Sequence, residues 1–110
     1  MLTAGPSAAQ GLLDRVQGLY HPQDQGAWTC GTLGMDGGAV GVIGQTLHGV
    51  ENSCALENPF PVPGMDAMAF DLACTGEGTT YDGGRAILVP LPDGLGIVRD
   101  GSVVIWTRCP

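Results

Sequence analysis

The chain has 110 residues, 11 of them acidic against four arginines and no lysine, for a formal net charge of −7. That length holds one hydrophobic core and not two, and the charge disfavours nucleic acid as a partner, since a polyanion would be repelled from every side. Nineteen glycines and eight prolines stand beside 44% hydrophobic residues, too apolar for a disordered chain and too punctuated for a helical bundle, which leaves short strands joined by turns.

The first stretch, "MLTAGPSAAQG", puts the small residues Ser7 and Ala9 at the −3 and −1 positions of a cleavage before Gln10, a pattern like the tail of a secretory signal. Residues 1–9 are therefore read as a signal remnant or a flexible tail, and 10–110 as a single β domain. Leu12, Leu13, Val16, Leu19 and Tyr20 recur at helical spacing and predict one short amphipathic helix from Gln10 to Tyr20, weakened by Gly18 and stopped at His21-Pro22.

From Ala27 onward the period becomes that of strands. Strands are expected at 27–32, 39–43, 45–51, 54–57, 78–81, 85–89 and 95–99, with turns at Asp36-Gly37-Gly38, Asp82-Gly83-Gly84 and Pro92-Asp93-Gly94. In "DAMAFDLAC" the residues Met68, Phe70, Leu72 and Cys74 share one face, which should enter the core. "NPFPVPG", residues 58–64, is expected to be a stiff, exposed loop and no central strand, because proline cannot donate to a ladder.

Near the end, Asp100-Gly101 between two apolar runs signals a two-residue hairpin turn. Its register sets Val98 opposite Val103, Ile97 opposite Val104, Gly96 opposite Ile105 and Leu95 opposite Trp106. Val98, Val103, Ile105 and Cys109 are expected to face inward. Leu95, Ile97, Trp106, Arg99 and Arg108 would then face water, because two arginines suit solvent. An aromatic residue among aliphatics and arginines has the composition of an interface centre, so Trp106, Leu95, Arg99 and Arg108 are candidates for partner binding, unless the N-terminal helix packs over them.

Cys30, Cys54, Cys74 and Cys109 are even in number, widely spaced and free of C-x-x-C. With only two histidines, metal-ligand spacing is absent, so disulfides are expected, along with an oxidising compartment, periplasmic or secreted. Cys54 and Cys74 flank the proline segment like the legs of a hairpin and should pair, leaving Cys30 and Cys109 to tie the first strand to the last. The alternative is sequential pairing, Cys30 with Cys54 and Cys74 with Cys109. No run approaches the roughly 18 apolar residues of a membrane span.

The glycine-rich "CTGEGTTYDGG", residues 74–84, is not a phosphate loop. No lysine follows Gly78, Glu77 would repel a phosphate, and the continuation is strand-like. The Asp-Gly turns scatter their carboxylates and do not alternate them within one calcium loop. "LHGVENSC" contains His48, Glu51 and Ser53, the residue types of a hydrolase, but within one strand Glu51 and Ser53 fall on the face opposite His48. No cofactor or metal is called for.

Four elements, Trp28-x-Cys30, Glu51-x-x-Cys54, Cys74-x-Gly76-Glu77-Gly78 and Arg108-Cys109, resemble a group of small exported two-disulfide proteins of proteobacteria, a likeness that implies a compartment and no activity. A shorter match, Gly78-Thr79-Thr80-Tyr81 followed by Asp82-Gly83, is similar to the loop with which periplasmic inhibitors of C-type lysozyme, themselves small β-barrels, reach the enzyme's active site. It departs at Glu77, where that family has serine, and in the absence of the later lysine. The resemblance implies a basic protein partner and adds Thr80 and Tyr81 to the partner-binding candidates.

The sum is an all-β fold: a small antiparallel meander closed as a barrel or a tight sandwich, with one short N-terminal helix. The functional expectation is an exported, non-enzymatic protein-binding or accessory module, inhibitor-like in its loop. The alternatives are a structural subunit of an envelope complex and a small hydrolase using His48.

Overall fold

A computed structural model describes residues 7–23 and 25–110. One helix, α1 (Ala8–Val16), precedes eight strands: β1 (Gly18–Pro22), β2 (Val40–Ile43), β3 (Thr46–Gly49), β4 (Asn52–Pro61), β5 (Met68–Gly76), β6 (Thr79–Leu91), β7 (Gly94–Arg99) and β8 (Ser102–Arg108). Each strand pairs antiparallel with the next, and β1 closes on β8, so the meander is a barrel and not a sandwich. Closure leaves the sheet without a first or last edge strand. No helix among the described residues is long and apolar enough to cross a membrane.

Alternation along each strand fills the interior. Met68, Phe70, Leu72 and Cys74 are all buried, as the period of β5 predicts, and they meet Tyr20, Val42, Leu88 and Leu95 from other strands. The amphipathic helix packs its apolar side against the same core as the strands, in contact with β4 and β6. Leu12, Leu13 and Val16 are buried there, and burying each contributes about 1.5–3 kcal/mol. Ser7 caps α1, its hydroxyl accepting from the Gln10 backbone N–H. Ser7, Ala8 and Ala9, read with the tail, are thus the cap and first residues of α1, and residues 1–6 lie outside the described ones.

The helix ends at Val16 and not at Tyr20. Gln17 is extended, and Gly18 sits at φ +137°, a conformation that side-chain-bearing residues avoid. A Cβ on Gly18 would also lie 2.9 Å from the Arg108 guanidinium. Gln17 fastens the corner: its amide donates to the carbonyls of Leu13 and Gly44 and accepts from the Gly44 N–H. Leu19 and Tyr20 thus belong to β1. Tyr20 is fully buried, and its hydroxyl donates to the Val16 carbonyl at 2.6 Å, one of the carbonyls that a helix end leaves without a partner. Burial pushes its phenol pKa up, and the Arg108 charge opposes that shift. Tyr20→Phe should therefore cost about 1–2 kcal/mol by stranding that carbonyl. Denaturant unfolding would show it as a lowered midpoint at unchanged slope.

Three further expectations are corrected. Residues 27–32 form no strand. Five glycines between 26 and 38 and a positive φ of 58° at Cys30 prevent an extended ladder. The segment is a loop held by hydrogen bonds from the N–H of Thr29 and Cys30 to the carbonyls of Gly37 and Gly38. Residues 58–61 belong to β4 and are not a free loop. Beyond a bulge at Asn58, Phe60 and Pro61 pair only with β5, because β3 reaches only to Ala55. Proline is tolerated there since no neighbour asks for its N–H, and Phe60 remains exposed as expected. Asp82-Gly83-Gly84 is no turn but a bulge inside β6, where Asp71 pairs with Arg85 and Ala73 with Asp82.

The β7–β8 hairpin has the expected register in all four pairs, but its faces are reversed. Leu95, Ile97 and Trp106 are buried, and Val103 and Ile105 are exposed. The two arginines escape burial by standing at the strand ends. Arg108 donates to the carbonyls of Gln17 and Arg15 and lies 4.9 Å over the Tyr20 ring, while Arg99 donates to the Gly83 carbonyl at 2.7 Å.

Both disulfides are formed, in the cross-linked and not the sequential pairing: Cys30–Cys109 and Cys54–Cys74. The second joins directly opposed residues of β4 and β5 inside the barrel. The first ties the loop of residues 25–39 to the residue after β8.

Candidate functional site

The outer face of β3–β6 is built from the residues that alternate with the core. Pairing places His48, Ser53, Thr75 and Thr80 in one row across the four strands. The next row holds Thr46, Ala55, Ala73 and Asp82, and beyond it stand Glu57, Asp71 and Arg85. The middle of this face carries only small side chains, and larger ones stand around it. The β6 bulge adds curvature, and a shallow groove runs past Ala73, Thr75, Thr80 and Asp82 toward Glu57. A second depression continues it past His48 and Ser53 to the hairpin tips at Glu51 and Glu77.

Those tips are unusual. Glu77 and Gly78 both have positive φ, as a type I′ turn requires, and Glu51 is left-handed as well at φ 56°. A glutamate is a costly occupant of such positions, where glycine or asparagine is preferred. Glu51 is tied back to the long loop by its N–H, which donates to the Gly34 carbonyl at 2.9 Å.

The charge on this flank is one-sided. Arg85 is the cation of the groove, and it is already engaged with Asp71 at 3.2 Å. Asp71 also accepts from Asn58 at 3.0 Å, and the Asn58 hydrogen bond, then that from Arg85, holds its carboxyl below the usual range. A depressed carboxyl favours the folded chain above its ordinary pKa and loses that effect as pH falls through the lowered one. Glu51, Glu57, Glu77 and Asp82 form no ion pair among the described residues.

Of the partner-binding candidates, Thr80 and Tyr81 are exposed and line the groove. Arg99 is exposed at the far side of the bulge, bound to Gly83. Trp106 and Leu95 are in the core, with the Trp106 ring 6.1 Å from that of Tyr20, so the surface expected around Trp106 does not exist. His48 and Ser53, expected on opposite faces of one strand, lie directly opposite each other, because the chain turns at Val50-Glu51 and puts them on neighbouring strands. The Ser53 hydroxyl bonds to that of Thr75 at 3.2 Å, and no hydrogen bond joins it to His48. No group of three or more metal-ligating side chains comes together among the described residues. The carboxylates of Glu57, Asp71 and Asp82 were missed as a group. Only the odd parity of Asp71 and Ala73 in "DAMAFDLAC" hinted at an outer face there.

No family model, no curated protein and no solved structure matches the chain.

Proposed function

We propose that this protein is an exported, non-enzymatic binding module, periplasmic or secreted, that receives a basic protein on the groove of β3–β6 in the manner of an inhibitor. The observation that carries this reading is a shallow groove with a small-residue floor, four carboxylates around it that form no ion pair among the described residues, and the exposed Tyr81 and Thr80 on its border. Complementary charge raises the association rate and selects among partners, and an exposed aromatic residue supplies contact area at low entropic cost. Two disulfides in a small domain suit an oxidising compartment. The loop Gly78-Thr79-Thr80-Tyr81 at this site is the segment that resembles C-type lysozyme inhibitors, which makes a lysozyme of that class the first basic probe to use.

Calorimetric titration with such a lysozyme should give binding that weakens as salt rises from about 0.05 to 0.5 M, where the screening length shrinks several-fold. The pair Glu57→Lys and Glu77→Lys should lower affinity about tenfold or more while leaving the melting temperature nearly unchanged, since both side chains are exposed and free of hydrogen bonds to the fold, unlike Asp82, whose carboxylate accepts from the Gly84 N–H of the bulge at 2.8 Å. Glu77→Asn separates binding from folding: it relieves a left-handed glutamate and should hold or raise the melting temperature, yet weaken binding. Binding that ignores both salt and these substitutions would sink the reading.

A further inference from the structure

Residues 25–39 leave the sheet after β1 and rejoin it at β2. Register says what they cover. Gly41 pairs with Leu19 on one side and His48 on the other, so the row of His48, Ser53, Thr75 and Thr80 in the groove continues outward through Gly41 and Leu19 to Cys109, whose N–H donates to the Leu19 carbonyl. Gly41 faces out, since Val40 and Val42 on either side of it are in the core, yet it is buried. Leu33 lies over it, with its Cδ1 3.4 Å from where a Gly41 Cβ would stand. The segment is a strap across the end of the groove's row. The Cys30–Cys109 bond holds its start, Leu33 its middle, and the Gly34 carbonyl accepts the N–H of Glu51 at the groove's tip. Its other hydrogen bonds, from Thr29, Cys30 and Gly34 to Gly37, Gly38 and Ala39, close it on itself and not on the sheet.

The two disulfides differ in access. Cys54 and Cys74 are 5% and 2% exposed, inside the barrel, whereas Cys30 is on the surface and Cys109 is half-buried. Cys30 also holds a φ of 58°, in the left-handed region that a β-carbon disfavours, so freeing it relieves strain. We infer that Cys30–Cys109 is a redox latch: a dithiol opens it and lets the strap lift off β1–β2, while Cys54–Cys74 stays bonded within the closed barrel. One thiolate of the reductant attacks the exposed Cys30 sulfur, which breaks the S–S bond and expels Cys109 as a thiolate that takes up a proton. The second thiol attacks the mixed disulfide, freeing Cys30 as a thiol and leaving the reductant as its own disulfide, so two electrons and two protons pass to the cystine. The barrel keeps its closure, because β1 pairs with β8 through its own ladder. If the groove receives its partner as proposed above, opening also weakens binding there. The Glu51 N–H loses the carbonyl that holds the tip in its left-handed turn, and a tip that must be ordered on contact binds less well.

Loss of a cross-link also lowers global stability, so the test belongs near about 15 °C, where domains are most stable. The whole chain is titrated with dithiothreitol, blocked with iodoacetamide and mapped by mass. Cys30 and Cys109 should be alkylated at concentrations that leave Cys54 and Cys74 bonded. In that species, hydrogen exchange read by NMR should quicken about tenfold or more at the Glu51 N–H, while the amides of β5 and β6 keep the protection they have in the oxidised chain. Cys30→Ala combined with Cys109→Ala should give the same pattern with no reductant present. Reduction of Cys54–Cys74 at the same dithiol concentration, a Glu51 N–H as protected as before, or protection lost throughout β5 and β6 would each overturn the latch. The alkylated protein, freed of dithiol, should bind a C-type lysozyme about fivefold or more weakly than the oxidised chain does. A lysozyme that binds neither form sinks the groove reading and leaves the latch standing on alkylation and exchange, whereas equal binding by both forms overturns the link between latch and groove.

Discussion

Replacing both Cys30 and Cys109 with alanine should cost about 4–5 kcal/mol. The bond closes a separation of 79 residues, and in the chain-entropy account the constraint on the unfolded chain grows with the length closed. For a domain of ordinary stability, about 5–15 kcal/mol in total, this removes much of the margin. At about 4 °C or more per kcal/mol, the melting temperature should fall by on the order of 15 °C or more. The Cys54–Cys74 bond closes only 20 residues and should be worth about 3 kcal/mol by the same account. The order of the two losses is therefore itself a result to check. Calorimetry on the two double-alanine variants measures it. A drop of only a few degrees for the Cys30–Cys109 pair would mean that the loop of residues 25–39 is held by its internal hydrogen bonds, by the Glu51 N–H to Gly34 carbonyl bond and by the half-buried Trp28, with the sulfur link adding little.

Gly83→Ala should destabilise the barrel by about 1–3 kcal/mol through overpacking. Gly83 lies in the β6 bulge against β5, and a Cβ there would stand 2.5 Å from the Cys74 sulfur and 2.9 Å from the Leu72 Cβ. Neither neighbour can yield. Cys74 is bonded to Cys54, and Leu72 is fully packed in the core. Gly84→Ala is the control: its φ of 75° makes an alanine strained, but nothing lies within 4 Å of its Cβ position, so the cost should stay near about 1 kcal/mol. If the sulfur is the obstacle, the Gly83→Ala penalty shrinks when Cys54 and Cys74 are both alanine, a coupling that a double-mutant cycle reads directly. Equal penalties in the two backgrounds would place the cost in the backbone of the bulge instead. Because the bulge shapes the groove, Gly83→Ala should also weaken the binding of a basic protein beyond what its loss of stability explains.

Much of this architecture is legible in the sequence, and the reason is that local rules set it. The Asp100-Gly101 turn dictates the register of β7 on β8 without reference to anything else, the period of two in "DAMAFDLAC" names the core face of β5, and the segment between Cys54 and Cys74 folds back on itself and brings the two sulfurs together. What tertiary structure decided were the choices in which neighbours compete. The hairpin's two faces are both apolar in part, so the alternation alone is ambiguous. The inward face was settled by Arg108 finding the end of α1 and Arg99 finding Gly83, contacts that free both arginines from needing the outside of the sheet. The proline segment could join β4 because β3 stops at Ala55 and leaves that side unpaired, which no property of residues 58–61 reveals. The groove is the clearest case. Its rows take one residue from each of four strands, and a turn at Val50-Glu51 reverses the chain and sets His48 beside Ser53, so which side chains share that surface depends on pairing across the barrel and not on spacing along the chain.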